Sequence, residues 1–232
     1  MLAQLALSLM LLPSLAAAGP WMREQGSVYA LLSHYGGSDG WTGFYGEYGG
    51  PFGWTYGIDL GGHVVGLPQL MQTGIADEDV DGRIRSFMRL PLPLPRGDAA
   101  PAWLDPWLAA VEFSLGKDIK SDGTQIDRLG VGGTVGRGFQ TRFGDGWTTF
   151  DLGLSLARGD ETRATYAAVV GLKPVDRLAV ELGAFAEQAD EVSYQFGPTV
   201  QYGFGRIGAA RVGLAFRSEG DLQGSVGWAL DF

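Results

Sequence analysis

Short segments that alternate apolar with polar residues follow one another from about residue 25 to the end of the chain, separated by Gly, Asp, Pro and Ser. A period of two is typical of strands whose two faces meet different surroundings. In the segment 54–62, Trp54, Tyr56 and Ile58 share one face, while Thr, Gly and Asp residues occupy the other. The same alternation recurs in the segments 107–116, 193–203 and 209–217.

The alternation predicts about twelve strands, an even number of the kind that single-chain outer-membrane barrels have. The predicted strands cover residues 25–34, 41–49, 53–64, 83–92, 107–116, 128–137, 147–156, 164–172, 178–187, 193–203, 209–217 and 224–232. Each is close to the ~9–11 residues with which a tilted strand crosses a membrane. We therefore predict an all-β fold, a transmembrane antiparallel up-and-down β-barrel that takes up residues 19–232.

The connections also fit a barrel whose first strand starts in the periplasm. Short turns at 49–52, 173–177 and 203–206 would then lie on the periplasmic side. Longer loops at 65–82, 117–127 and 218–223 would lie outside the cell, as is usual in outer-membrane barrels. The connections 93–106 and 138–146 are longer than this rule predicts for periplasmic turns.

A soluble β-sandwich is the alternative, since it also consists of short strands separated by turn residues. Two features favour the membrane barrel. Trp41, Trp54, Trp107 and Trp228 are predicted near strand ends, where aromatic girdles lie. The polar faces are rich in Gly, Thr and Ser and poor in charge, which suits a crowded barrel interior better than a solvated sheet.

The beginning of the chain has the features of a secretion signal. Residues 1–18 read MLAQLALSLMLLPSLAAA, with an apolar core over Leu5–Leu12 and small residues at the Ala16–Ala18 cleavage site. The segment before the apolar core has no Lys or Arg. A buried N-terminal helix or a misassigned start is the alternative. The sequence predicts a signal peptide over 1–18 and a mature chain that begins at Gly19.

The last segment, GSVGWALDF (224–232), places Val226, Trp228, Leu230 and Phe232 on one face. It resembles the C-terminal strand of bacterial outer-membrane proteins, which ends in Phe after alternating apolar residues. That resemblance implies recognition by the barrel-assembly machinery through the strand ending at Phe232. The expected location is the outer membrane, and the expected partners are this machinery, outer-membrane lipid and lipopolysaccharide.

Composition narrows the possible functions. The 232 residues suffice for one domain and include 38 Gly, and only 19% of them are charged. A net charge of −9 argues against nucleic-acid binding, which needs a basic surface. The chain has no Cys, which excludes disulfides and thiolate metal sites.

Several motifs resemble a known family. The segments GPWMREQGSVYALL (19–32), FYGEYG (44–49) and DVDGRIRSF (79–87), with strand pairs from there to the end, are similar to the outer-membrane proteins grouped under the MetA pathway of phenol degradation. This resemblance covers most of the mature chain. It implies passage or uptake of small compounds, including hydrophobic ones, and it supplies no catalytic residues.

Two sets of residues are candidates for chemistry. His34 and His63 could serve a membrane lipid hydrolase, but Ser33 and His34 are neighbours on a strand and point to opposite faces, so they cannot form a nucleophile–base pair. Asp77, Asp79 and Asp81, followed by Gly82, match the opening of a calcium loop, whose closing Glu is replaced by Met88. A solvated acidic loop explains that run better. We predict no catalytic residue, no cofactor and no metal.

Charged residues on the polar faces are predicted to point into the lumen. The predicted lumen residues are Asp59, Arg83, Arg85, Arg89, Glu112, Asp151, Glu181, Arg211 and Arg217. Charges of both signs could line a narrow pore and select solutes, or could pair and fill the lumen. The sequence therefore predicts a narrow outer-membrane pore or transporter for small solutes. A structural or adhesion barrel with a plugged lumen is the first alternative, and a lipid hydrolase is the second.

Overall fold

A computed structural model of the protein describes residues 19–36, 40–63, 82–96, 101, 103–120, 122–159 and 161–232. The predicted signal peptide and the acidic run with Asp77, Asp79 and Asp81 lie outside these residues, so both stay predictions. Among the helices in the described part of the chain, none is long and apolar enough to cross a membrane.

In these residues, twelve antiparallel strands form one closed barrel, in which each strand pairs with its neighbours in sequence and the first pairs with the last. The strands are β1 (Val28–Tyr35), β2 (Trp41–Gly49), β3 (Thr55–His63), β4 (Gly82–Leu92), β5 (Trp107–Ile119), β6 (Gln125–Thr141), β7 (Gly144–Ala157), β8 (Arg163–Val175), β9 (Leu178–Gln188), β10 (Val192–Gly203), β11 (Ala209–Arg217) and β12 (Leu222–Asp231). Short 3-10 turns, Pro51–Gly53 and Gly205–Ile207, follow β2 and β10. The predicted all-β, up-and-down barrel of about twelve strands is confirmed.

The strands alternate as a membrane barrel requires. The outward face carries large apolar side chains that are about half exposed, such as Leu115, Leu152 and Leu182. The inward face carries Gly, Thr and charged residues. Closure leaves no strand edge unpaired, which is the condition for a sheet to sit in lipid. An exposed apolar surface around a polar interior is the reverse of a soluble protein.

Aromatic side chains lie on the outside of the barrel beside the turns at one of its ends. Phe52, Trp54 and Tyr56 pack together at the β2–β3 turn, and the rings of Phe204 and Trp228 stack 5.6 Å apart beside the β10–β11 turn. The prediction of a girdle position is wrong for Trp41. Pairing opposite His63 places this residue on the inward face, because inward and outward positions alternate strictly along β2.

Several of the connections are shorter than predicted. The region 138–146 is a tight hairpin, since β6 ends at Thr141 and β7 begins at Gly144. The predicted loops 117–127 and 218–223 shrink to residues 120–124 and 218–221. The reason is strand length: β5 to β8 are 13 to 17 residues long, so the ladder takes up residues predicted as loop.

The barrel has two ends, which differ in the strand termini that they carry. We call the end where β1 begins at Val28 and β12 ends at Asp231 the termini end. The opposite end is where β1 ends at Tyr35 and β12 begins at Leu222.

Candidate functional site

The register places all the predicted lumen charges on the inward face. Asp59 pairs opposite Arg85, Arg89 opposite Glu112, and these pairs share a face with Asp151 through the β5–β7 ladder. Two ion pairs reach across an intervening strand: Arg89 of β4 to Glu47 of β2, and Arg211 of β11 to Glu181 of β9. Side chains converge in this way only on the concave side of a closed sheet. Their role in conduction stays a prediction.

One cluster fills the lumen near the termini end, and we call it the buried network: Arg23, Tyr45, Glu47, Arg89 and Glu112. Glu47 accepts hydrogen bonds from Arg23 at 2.6 Å and from Arg89 at 3.0 Å, and a third from the Tyr45 hydroxyl at 2.6 Å. Arg89 also donates to Glu112 at 2.9 Å. The side chains of Glu47 and Arg89 are only 3% and 6% exposed. The ion pair between Glu47 and Arg89 is therefore shielded from water.

Aromatic rings close the space around the buried network. The Tyr45 ring stacks on Phe87 with ring centres 5.5 Å apart, and Arg89 lies 5.4 Å above the same Phe87 ring. Arg23 lies 4.6 Å above the ring of Tyr29. Phe87 in turn covers Gly57, where a Cβ atom would lie 2.0 Å from the ring. Because Gly57 has no side chain, the Phe87 ring can pack directly over its backbone and cover the buried network.

A chain segment crosses the lumen at the termini end, and we call residues 19–23 the lumen-crossing segment. At one side the Arg23 amide donates to the Thr55 hydroxyl of β3 at 2.9 Å, and the Arg23 guanidinium lies 3.3 Å from Asp231 of β12. At the other side, a Cβ on Gly136 of β6 would lie 3.0 Å from the ring of Pro20. The segment therefore extends between well-separated parts of the wall. A pocket of about 630 Å³ borders it, between Trp21, Pro91 and Leu108.

The lumen toward the opposite end has a different character. Asp59 is shared by two arginines, with Arg83 at 3.1 Å and Arg85 at 3.4 Å. The side chains of Arg83 and Arg85 are 49% and 42% exposed. Arg83 also lies 5.5 Å above the ring of Trp41. Two half-exposed guanidinium groups around one carboxylate leave this part of the wall locally positive.

Two other groups of ion pairs lie toward the opposite end, and each contains at least as many acids as bases. Asp118 of β5 binds Arg128 and, at 3.2 Å, Arg163, which also lies 3.4 Å from Glu161. At the rim, Arg217 lies 3.2 Å from Glu219 and 3.5 Å from Asp221. Acids match or outnumber bases in both groups. Arg83 and Arg85, which share one carboxylate, therefore form a local positive group in the wall of the lumen.

The hydrogen bond of His34 and the ring contact of His63 with described residues are not those of a hydrolytic centre. His34 faces outward, and its Nδ1 lies 2.9 Å from the Thr42 hydroxyl. Ser33 is on the inward face, opposite Gly43. His63 packs its ring edge-on against Trp41 with centres 5.1 Å apart. In the part of the chain that the structure describes, no group of three His, Asp or Glu residues could hold a metal ion.

Sequence reasoning missed the residues that organise the buried network. Arg23 precedes the first strand, where no alternation assigns it a face. Glu47 and Tyr45 lie in β2, in which both faces carry aromatic residues, so the inward face is not evident. The useful signal was Glu47 itself, because a charge in the middle of an aromatic strand is tolerated only on the lumen side of a membrane barrel.

No family model matches the chain, and no curated protein is similar to it in sequence. The resemblance to the phenol-degradation family accordingly stays a prediction. Solved structures do match. A KdgM porin in complex with disordered oligogalacturonate has a TM-score of 0.64 at 8% identity over 88% of this chain and 99% of the porin.

Two further structures share the fold. The NanC porin has a TM-score of 0.55 at 8% identity, covering 87% of this chain and 97% of its own. LpxR from Salmonella typhimurium has a TM-score of 0.52 at 9% identity, covering 89% and 99%. At such identities the likeness shows the fold alone. Together with the closed barrel and its apolar outer face, it places the protein in the outer membrane.

Proposed function

We propose that the protein is a narrow outer-membrane channel for small solutes, with preference for those that carry negative charge. The single observation that carries this proposal is the positive excess at Arg83 and Arg85, half exposed inside the lumen with one carboxylate between them. Fixed charges of one sign in the wall of a narrow tube select the ions that enter it. The shared fold with porins supports the channel.

The solute class is a finer part of the proposal. The resemblance to the phenol-degradation family suggests small compounds that include hydrophobic ones. The exposed lumen charges favour, among these, compounds with an anionic group, because an uncharged apolar solute gains nothing from half-exposed guanidinium groups. No catalytic step enters the proposal.

Conductance and reversal potential in a planar bilayer test the channel. Wild-type protein in a KCl gradient should show small conductance steps with a reversal potential on the anion-selective side. The double variant Arg83→Glu/Arg85→Glu should move the reversal potential to the cation-selective side. The matched control is Arg142→Glu/Arg158→Glu, which makes the same charge change in two exposed turns and should leave selectivity unaltered. Unchanged selectivity in the Arg83/Arg85 variant would refute the role of these arginines.

A barrel with a plugged lumen is the second candidate, because the lumen-crossing segment and the buried network fill the termini end. A barrel of this kind would act through its outer loops rather than by transport. It predicts no conductance steps in the wild type, and steps that appear only when residues 20–23 are replaced by Gly-Ser would show that the segment is the plug. Conductance of the wild-type protein excludes it.

We also propose that β12, together with Phe232, is the assembly signal. The Phe232 amide donates to the Val28 carbonyl at 3.0 Å, so this residue completes the seam between β12 and β1, and its side chain is 70% exposed on the outside. Deleting Phe232 should reduce the folded barrel in outer-membrane fractions several-fold, whereas Asp231→Asn should not. Equal yields of the two variants would show that the terminal Phe is not recognised.

A further inference from the structure

The inner wall formed by β6 and β7 contains polar groups that have no partner. Thr149 is fully buried, and its hydroxyl makes no hydrogen bond. The indole N–H of Trp147, on the same inward face of β7, is also buried and without a partner. Asp151 continues this face, opposite Thr134, and its partly buried carboxylate forms no ion pair among the described residues. Buried hydroxyl and indole N–H groups are seldom left without a partner, because each loses its hydration without replacement.

The lumen-crossing segment ends against this wall. A Cβ on Gly19 would lie 2.8 Å from the Thr149 methyl group and 2.7 Å from the ring of Trp21. The backbone of Gly19 is therefore in direct contact with Thr149, closer than any larger residue could come. Asp151 is two residues farther along the same face, about 7 Å from Thr149 between Cα atoms. Asp151 is the inward carboxylate of β7 nearest to Thr149.

We infer that this wall is a docking site for the processed amino terminus of the protein itself. Cleavage after Ala18, which the sequence predicts, would turn the Gly19 nitrogen into an ammonium group with three donors. The ammonium group would give the Thr149 hydroxyl a hydrogen-bond partner and would give Asp151, which forms no ion pair among the described residues, an opposite charge. The unprocessed chain has a neutral amide at the same position and offers no charge to Asp151.

Docking fixes both ends of the lumen-crossing segment. Arg23 holds one end through Glu47 and Thr55, and the ammonium of Gly19 holds the other through Asp151. The segment then closes the termini end of the lumen as a tethered strap, and its release opens the channel. This gating role rests on the proposed channel function, whereas the docking itself does not.

Amine-labelling of the purified mature barrel in lipid vesicles tests the docking. Intact mass should first show a chain that begins at Gly19. A small amine-reactive ester, applied at trace level and read out by peptide mass spectrometry, should then modify the Gly19 amine about tenfold more slowly in the wild type than in Asp151→Asn, the ratio for an ion pair of about 1.4 kcal/mol. The exposed side chain of Lys120 gives an internal reference.

The matched control is Asp145→Asn, which removes an exposed carboxylate from the same face of β7 and should leave Gly19 protected. Thr149→Val is a second variant of nearly equal volume and should also increase labelling, which keeps the test valid if Asp151→Asn does not fold. Two results would overturn the docking. One is a mature chain that does not begin at Gly19. The other is a labelling rate of Gly19 that is the same in the wild type, in Asp151→Asn and in Thr149→Val.

Conductance separates this inference from the proposed function. If docking gates a channel, the fraction of time that the channel is open should be larger in the Asp151→Asn variant than in the wild type or in the Asp145→Asn variant. Protection of Gly19 that depends on Asp151 in a barrel that never conducts would uphold the docking and refute the channel. Anion-selective conductance with an unprotected Gly19 would do the reverse.

Discussion

Strand β4 places three arginines on the inward face of the barrel. One of them is buried, and the other two are half exposed to water. Arg89, toward the termini end, is 6% exposed and bound by two carboxylates. Arg83 and Arg85, toward the opposite end, are half exposed and share Asp59. A buried guanidinium must be paired, because an uncompensated charge in a dry environment is strongly unfavourable. A hydrated guanidinium group can stay partly unpaired and attract anionic solutes. The same residue type therefore stabilises one half of the lumen and selects solutes in the other half.

The largest effect should follow from breaking the buried network. Glu47→Gln leaves two buried guanidinium groups, those of Arg23 and Arg89, without their common carboxylate. Removing one partner of a buried ion pair costs about 3–5 kcal/mol. Urea unfolding in lipid vesicles, followed by tryptophan fluorescence, should show a loss of this size in the free energy of unfolding.

Glu187→Gln is the matched control for that change. Glu187 lies inward on β9 near the opposite end and is partly hydrated. Its replacement should alter the free energy of unfolding by less than about 0.5 kcal/mol, as for most exposed sites. Equal destabilisation by the two variants would remove the distinction between the halves.

A smaller effect is expected at Arg23. Arg23→Gln removes the ion pairs to Glu47 and Asp231, but Glu47 keeps Arg89. Hydrogen bonds to charged groups contribute about 1.5–3 kcal/mol, so the free energy of unfolding should fall by that amount. The same variant should also loosen the lumen-crossing segment, which limited proteolysis before residue 24 would detect. Arg142→Gln, in an exposed turn, should change neither measurement.

The smallest effect on stability is expected at Arg83. Its ion pair to Asp59 is half exposed and screened, and such pairs contribute about 0–1 kcal/mol. Arg83→Gln should therefore leave the urea midpoint nearly unchanged while it weakens anion preference in the reversal-potential measurement. A loss above about 2 kcal/mol would show that Arg83 is structural, like Arg89.

The sequence predicted the strands and their faces much better than it predicted depth in the lumen. A period of two assigns Arg83, Arg85 and Arg89 to one face, but it contains no information on which of them water reaches. That depends on Arg23 and Glu47, which arrive from before β1 and from β2 and meet Arg89 only after closure. The lumen-crossing segment has no periodicity of its own, so its position follows only from three-dimensional contacts.

Strand ends were also beyond the sequence pattern. In β6 the run Gly130, Gly132, Gly133, Gly136 and Gly138 weakens the apolar alternation, and the ladder nevertheless continues to Thr141. Hydrogen bonding to the neighbouring strands, rather than side-chain pattern, decides where such a strand stops. The predicted loop at 138–146 was wrong for this reason.

One half of the lumen is closed and the other is open to water, and thiol labelling tests this division most directly. The chain has no Cys, so single substitutions Arg85→Cys and Thr149→Cys report each half without background. In vesicles that contain the folded barrel, a small water-soluble thiol reagent should modify position 85 rapidly and leave position 149, which is fully buried, almost unmodified. Equal rates at the two positions would contradict the claim that the lumen is divided.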